Sequence, residues 1–224
     1  MMADRFIAIA GNIGVGKTTL VEYLTTNFPM RAVYEPYVDN PYLDDFYADM
    51  KTWAFQSQIW FLTHKYGLHR QIETASGTFV QDRTIYEDAE IFATYLHRSR
   101  RMNKRDFGTF MELYETMRSS LQPPDLMIYL YCPVRTIRRR IRQRGRKSEQ
   151  DIPSRYLRKL NDLYEGWMSG FTQCPVLTWD TQRMDYLSDL VHRIEFHRSI
   201  EPFLSTPVND GICPASVDGQ VPTR

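Results

Sequence analysis

The sequence predicts an α/β fold, a five-stranded parallel sheet flanked by helices. Three observations predict it. Short apolar segments rich in β-branched and aromatic residues alternate with long segments of helical periodicity. The short segments are too continuously apolar for a sheet with one wet face. A glycine-rich turn joins the first strand directly to the first helix. In chain order, residues 6–10 read Phe-Ile-Ala-Ile-Ala, an unbroken apolar run of strand length, and helical spacing follows over 17–27. A second strand is expected over 32–35, stopped by Pro36, which has no N–H to donate to a ladder. A long helix over 50–73 leads to a strand at 78–82, then helices over 86–98 and 104–122. The run Leu126-Met-Ile-Tyr-Leu-Tyr-Cys132 gives the fourth strand, 126–131. It is the longest apolar run and falls far short of the ~20 residues of a membrane span. Over 134–144, Val134, Ile137 and Ile141 recur at helical spacing. A helix over 153–170, a strand over 176–179 and a helix over 184–198 complete the pattern. From 205 onward Pro207, Gly211, Pro214, Gly219 and Pro222 interrupt any periodicity, so a single domain over 1–204 with a disordered tail, 205–224, is expected.

Composition agrees with one globular domain. Of 224 residues, 25% are charged and 13% aromatic, which excludes disordered and collagen-like classes. The N-terminus runs straight from Met1-Met-Ala-Asp-Arg5 into the first strand, without a signal-peptide pattern. Cys132, Cys174 and Cys213 are far apart and form no CxxC pair, so neither a disulfide framework nor a structural zinc site is expected. A cytoplasmic protein without nucleic-acid or membrane partners is the expectation. The five histidines lack metal-ligand spacing.

Gly11-Asn-Ile-Gly-Val-Gly-Lys-Thr18 fits G-x-x-x-x-G-K-[ST] between that first strand and first helix. The glycines let the backbone curl so that its N–H groups point at phosphate oxygens. The loop Gly11, Asn12, Ile13, Gly14, Val15 and Gly16 forms the cradle, with Thr19 just behind it. Lys17 reaches the β and γ phosphates and the Thr18 hydroxyl ligates Mg²⁺. This P-loop specifies a nucleotide and not a reaction.

Residues just past the carboxyl ends of parallel strands face the ligand crevice. Glu35 holds that position after the second strand, where it can accept a proton from an attacking hydroxyl or be a solvated turn residue. Asp82 and Arg83 hold it after the third, suited to a Mg²⁺ water shell and to a transferring phosphoryl group. Tyr86-Glu87-Asp88 opens a helix, where the macrodipole favours carboxylates on its own account.

Charge is sharply segregated. The chain has 28 basic and 27 acidic residues, net +1. Eight of the basic ones fall within 135–147 with no acid among them, and the remaining 20 face all 27 acids. A lid closing over ATP phosphates gives this repulsion a compensating anion. A solvated helix face or a nucleic-acid contact are the alternatives.

Together the P-loop, Tyr34-Glu35-Pro36, Asp39-Asn-Pro-Tyr-Leu43, Trp53-Ala-Phe-Gln-Ser-Gln58, Gln81-Asp-Arg-Thr-Ile-Tyr-Glu-Asp88 and Arg144-Gly-Arg146 resemble the deoxyribonucleoside kinase family, closest to its bacterial deoxyadenosine kinase branch. The resemblance implies the P-loop kinase fold with an Arg-rich lid and ATP with Mg²⁺. Its reaction is phosphorylation of a deoxynucleoside 5′-hydroxyl. It implies Glu35 as the proton acceptor, Arg83 beside the hydroxyl and Asp82 near Mg²⁺. Gln58 and Asp88 would select the base, Phe92 would stack on it, and Tyr47 and Glu149 would hold the 3′-hydroxyl. Arg140, Arg144 and Arg146 match the lid, and the Asp180 loop lies where the ATP adenine binds. Family members are usually homodimers.

Gln58 and Lys65 stand seven apart, two helical turns, so both can look into one pocket with Phe61 or Leu62 between them. A glutamine amide donates and accepts at once, which suits an adenine edge, and the Asp88 carboxylate suits an exocyclic amino group. Thymine lacks that group. Lys65 departs from the arginine found in members acting on cytosine or guanine, which leaves adenine, cytosine and guanine open; overall likeness to the family branch makes deoxyadenosine the expectation, with deoxyguanosine and deoxycytidine as alternatives. A thymidylate-like monophosphate kinase and a nucleotide-dependent nucleic-acid binder are the further rivals.

Overall fold

The computed structural model describes residues 5–34, 39–183 and 185–205. Five parallel strands, β1 (Phe6–Gly11), β2 (Met30–Val33), β3 (Thr78–Asp82), β4 (Leu126–Tyr131) and β5 (Val176–Asp180), form one sheet in the order β2-β3-β1-β4-β5. β1 lies between β3 and β4, with Phe6 opposite Phe79 and Ile7 opposite Leu126. All six of its residues are buried, which is why its sequence shows no alternation. The chain winds to one side of β1 and then to the other, so the crevice at the carboxyl end of β1 is the switch point of the sheet.

Helices α1 (Lys17–Asn27), α2 (Leu43–Ala48), α3 (Met50–Thr74), α6 (Lys104–Arg118), α7 (Val134–Arg144), α8 (Lys147–Gln150), α9 (Ser154–Ser169) and α10 (Leu190–Ser205) pack around the sheet. Between α3 and α6 the expected single helix is broken into three pieces: α4 (Ile85–Glu87), a π-helical turn (Asp88–Ala93) and α5 (Thr94–Arg98). The Thr94 hydroxyl donates to the Ala89 carbonyl, 2.8 Å away and five residues back, and so supports the wider turn. A 3.6-residue periodicity cannot register such an insertion.

Other departures have equally local causes. β2 begins at Met30, before the expected 32, because an edge strand tolerates Arg31, whose guanidinium lies over the Phe79 ring at 5.6 Å. α6 stops at Arg118 although buried Leu121 prolongs the periodic pattern. The residues that follow close tight three-residue bonds, Ser120 N–H to Met117 O and Leu121 N–H to Arg118 O. The last helix begins at Leu190 rather than 184, since the Asp189 carboxylate accepts the N–H groups of Val191 and His192 at 2.8 and 3.1 Å. It continues past Pro202 to Ser205. α2 and α8 are too short to announce themselves by period. The tail expected over 205–224 lies, beyond Ser205, outside the described residues. Among the described residues no helix is long and apolar enough to cross a membrane.

One buried group gives this fold a pH dependence. His69 of α3 is 1% exposed; its Nε2 donates to the Gln122 carbonyl at 2.8 Å, and burial lowers its pKa below the ordinary 6.5. Below pH 6.5 the unfolded chain gains a proton that folded His69 refuses, so stability present above that pH is lost as the pH falls. Thermal melts between pH 5 and 8 are expected to show Tm dropping on the acid side. The variant His69→Gln, less stable at pH 8 by roughly 1–2 kcal/mol, should have a shallower slope there. An unchanged slope would assign the dependence to other groups.

Candidate active site

The phosphate loop owes its shape to two glycines in particular. Gly11 has φ +143° and a Cβ there would meet the Leu130 carbonyl oxygen at 2.5 Å; Gly14 has φ +74° and its Cβ would meet Ile141 Cγ1 at 2.8 Å. Asn12 anchors the loop from behind, its amide donating to Leu157 O at 2.8 Å and Asn161 Oδ1 at 2.6 Å on α9. The Lys17 ammonium donates to the Gly11 and Asn12 carbonyls at 2.9 and 3.1 Å.

A continuous cavity of about 930 Å³ opens above this loop. Of the residues expected from sequence, Ile13, Gly14, Val15, Gly16, Lys17, Thr18 and Thr19 line its phosphate end, with Arg140, Arg144 and Arg146. Asp82 and Arg83 line its middle, and Tyr47, Gln58, Asp88, Phe92 and Glu149 also face it. Gly11 and Asn12 act from beneath the loop, and Lys65 acts through Asp88. Glu35 lies outside the described residues. Asp180 does not line the cavity: its Oδ1 accepts the Gln182 N–H at 2.9 Å, and the residues it turns, Thr181 and Gln182, form the wall instead.

The middle of the cavity is dense in charge. The Thr18 hydroxyl donates to Asp82 Oδ2 at 2.7 Å, while buried Asp82 Oδ1 has no hydrogen-bond partner among the described residues. That unsatisfied oxygen beside a hydroxyl fits a magnesium ion that takes one or two protein oxygens and fills its shell with phosphate and water. Among the described residues no cluster of three or more His, Cys, Asp or Glu could hold a metal ion. Arg83 has φ +64°, rare for a residue with a side chain, and is 6% exposed. Its guanidinium reaches the Gly11 carbonyl at 3.4 Å and lies over the Phe92 ring at 4.7 Å.

At the far end, the Lys65 ammonium meets Asp88 Oδ1 at 2.5 Å, both side chains buried, and stands 5.2 Å from the Phe61 ring centroid. Gln58 is 3% exposed, and its Oε1 has no hydrogen-bond partner among the described residues. Asn40 fixes the chain above α3 by donating to Ser57 Oγ at 3.1 Å. The π-turn, wider than an α-helical one, brings Asp88 and Phe92 to one cavity wall.

The arginine segment is anchored at both ends. Arg140 donates to Val15 O at 2.6 Å and to the Thr181 hydroxyl and carbonyl at 2.8 Å, bracing the phosphate loop against the loop after β5. Arg144 pairs with Glu149, and Arg146 approaches the same carboxylate at 3.4 Å.

Several lining residues were not picked out from sequence. Arg139 was legible, since it shares a helical face with Arg140, Gln143 and Arg144. Phe61, rather than the fully buried Leu62, faces the cavity. Tyr156 and Tyr186 read as ordinary core aromatics, and nothing in their spacing separates them from it. Burial pushes the Tyr156 hydroxyl well above its usual pKa, so it stays protonated.

The deoxynucleoside kinase family model matches residues 7–205. The chain belongs to the deoxynucleoside kinase family. A deoxyadenosine/deoxycytidine kinase of Bacillus subtilis (strain 168) is 40% identical over 188 residues, covering 83% of this kinase and 87% of the relative. A deoxyadenosine kinase of Dictyostelium discoideum is 36% identical over 167 residues, covering 75% and 68%. The solved structure of deoxyadenosine kinase from M. mycoides with bound dATP superposes with a TM-score of 0.77 at 27% identity, covering 88% of this kinase and 99% of that chain. As a member of this family the protein is a phosphotransferase, and its P-loop kinase fold is that of its neighbours. The match includes the whole Arg-rich segment, on which the nucleic-acid alternative leaned.

Proposed function

We propose that this kinase transfers the γ-phosphoryl group of ATP to the 5′-hydroxyl of deoxyadenosine, giving dAMP and ADP. The observation that carries the reading is the continuity of one cavity from the Lys17 loop, past Asp82 and Arg83, to Gln58 and Asp88. Its lining suits a triphosphate at the Lys17 end and a nucleoside at the Gln58 end. The P-loop amides and Lys17 hold the phosphates, and Arg83 steadies the attacking hydroxyl. Thr18 and Asp82 would hold Mg²⁺, which supplies charge neutralisation at the phosphates when bound. As the new O–P bond forms and the β–γ bridging bond breaks, the hydroxyl proton passes to Glu35. Tyr47 and Glu149 take the 3′-hydroxyl, and Phe92 packs on the base. The segment of Arg140, Arg144 and Arg146 acts as a lid that excludes water, and the loop after Asp180 flanks the ATP adenine. The unpartnered Gln58 Oε1 offers an acceptor to an exocyclic amino group, and the Gln58 amide offers a donor beside it. Cytoplasmic location and homodimeric assembly go with this reading on the strength of the family resemblance.

A panel of deoxynucleosides and deoxynucleoside monophosphates, with DNA as control, tests it by ADP release. Deoxyadenosine is expected to give the highest kcat/KM and thymidine the lowest. Stimulation by monophosphates or DNA alone would sink the assignment. Because Lys65 is a point donor where arginine would grip both Asp88 oxygens, Lys65→Arg is expected to shift the deoxyadenosine-to-deoxycytidine ratio about tenfold toward cytosine. An unmoved ratio with retained turnover would remove Lys65 from base selection.

A further inference from the structure

We propose that Glu87 is a positioning residue of this kinase, a carboxylate that fixes the Arg83 guanidinium against the phosphate loop. Its place in the first turn of α4 explains only half of what it does. Glu87 Oε2 accepts the Thr84 N–H at 2.9 Å and the two residues form a capping box. A cap of this kind works equally well at a surface, yet Glu87 is 0% exposed. Burying a carboxylate is costly unless every oxygen is engaged, and the second oxygen is engaged entirely by other elements. Glu87 Oε1 accepts the Tyr164 hydroxyl of α9 at 2.7 Å and the Gly11 N–H at 3.3 Å, and it lies 3.5 Å from Arg83 Nε.

The consequence falls on one residue of the loop and one side chain. Gly11 opens the phosphate loop, and it is gripped from both sides. Its N–H is on Glu87, while its carbonyl accepts from Lys17 at 2.9 Å and Arg83 at 3.4 Å. Arg83 meanwhile sits in the left-handed region, a conformation that persists only where the surroundings over-determine it. Glu87 supplies two of those determinants, the hold on the next peptide N–H and the ion pair with Nε. The carboxylate thus ties the residue at the acceptor side to the loop at the donor side, so that both keep one spacing. Tyr164, stacked on Tyr129 of β4 with ring centroids 6.0 Å apart, fixes the carboxylate in turn.

This inference rests on the proposed role of Arg83 beside the acceptor hydroxyl, and a double-mutant cycle separates the two. Glu87→Gln keeps the shape and removes the charge. It is expected to lower kcat about 100-fold, with KM for ATP moved less than about threefold, the signature of a displaced catalytic group. Arg83→Gln alone is expected to lose at least as much. In the Arg83→Gln background, Glu87→Gln should cost less than about twofold, because residues acting as a unit cannot be lost twice. Losses that multiply in the double variant, or an unaffected kcat in Glu87→Gln, would overturn the positioning role. Near-normal turnover by Arg83→Gln would instead overturn the Arg83 assignment, and the positioning role with it. Should circular dichroism show Glu87→Gln unfolded, Tyr164→Phe takes its place in the cycle. That variant deletes one donor and is expected to lower kcat about fivefold alone and not at all beside Arg83→Gln; multiplying losses there overturn the proposal equally.

Discussion

Glu35→Gln is expected to lower kcat about a thousandfold while KM for ATP stays within about threefold of the parent. The substitution keeps the length and polarity of the side chain and removes its capacity to take a proton. A primary alcohol is a poor acid, so the proton leaves late, when the new O–P bond is largely formed, and loss of the acceptor penalises the transition state far more than binding. The proposed ATP end is lined by other parts, the residues from Ile13 to Thr19 and the α7 arginines, which is why ATP affinity should hold. Tyr34, the described residue before Glu35, already lines the cavity. Steady-state kinetics with saturating deoxyadenosine, together with ATP binding by calorimetry, make the check. Turnover within tenfold of the parent would remove Glu35 as the proton acceptor.

Lys17→Met should cost about as much, but distributed differently. Methionine keeps the volume and loses the charge, so kcat/KM for ATP is expected to fall by about 100- to 1,000-fold, with loss in both constants. The same ammonium braces the loop by bonding the Gly11 and Asn12 carbonyls. The variant should therefore also melt a few degrees lower without nucleotide, and gain less Tm on adding ATP. Lys17→Arg is not expected to rescue it, because a planar fork does not fit where a point charge is enclosed by backbone. An ATP-induced Tm shift equal to that of the parent would contradict this role.

The parts of the fold that were legible are those where one physical rule acts alone. The run from Phe6 into Gly11 is a buried strand feeding a phosphate loop, and burial on both faces leaves no other reading. α7 was legible to the residue, because Val134, Ile137 and Ile141 carry its period and Gly145 its stop, at φ +73°. The parts that were not legible depend on contacts across the chain. Nothing local announces the left-handed Arg83, since its conformation is maintained by Gly11 and Glu87. Glu87 read as a helix start because its immediate neighbours make it one, while Tyr164 lies 77 residues away. The family resemblance puts the Asp180 loop against the ATP adenine, yet the Asp180 carboxylate shapes the turn and leaves the wall to Thr181 and Gln182. Spacing puts Gln58 and Lys65 in one pocket and family likeness adds Asp88; the 2.5 Å contact of Lys65 with Asp88 depends on the chain folding back across 23 residues.

The π-turn at Asp88–Ala93 bears on how this gene can change over time. A one-residue insertion into an ordinary helix produces such a turn, and a one-residue deletion erases it. Substitutions within it alter single side chains. A deletion would narrow the turn to α-helical width and leave Tyr95 and Leu96 on their present faces. Asp88 and Phe92 would then no longer share one wall of the cavity. The segment should accordingly accept amino-acid replacement at Glu90, on its less buried side, and reject any change of length. Its reading frame along the helix, rather than its composition, is what selection has to preserve.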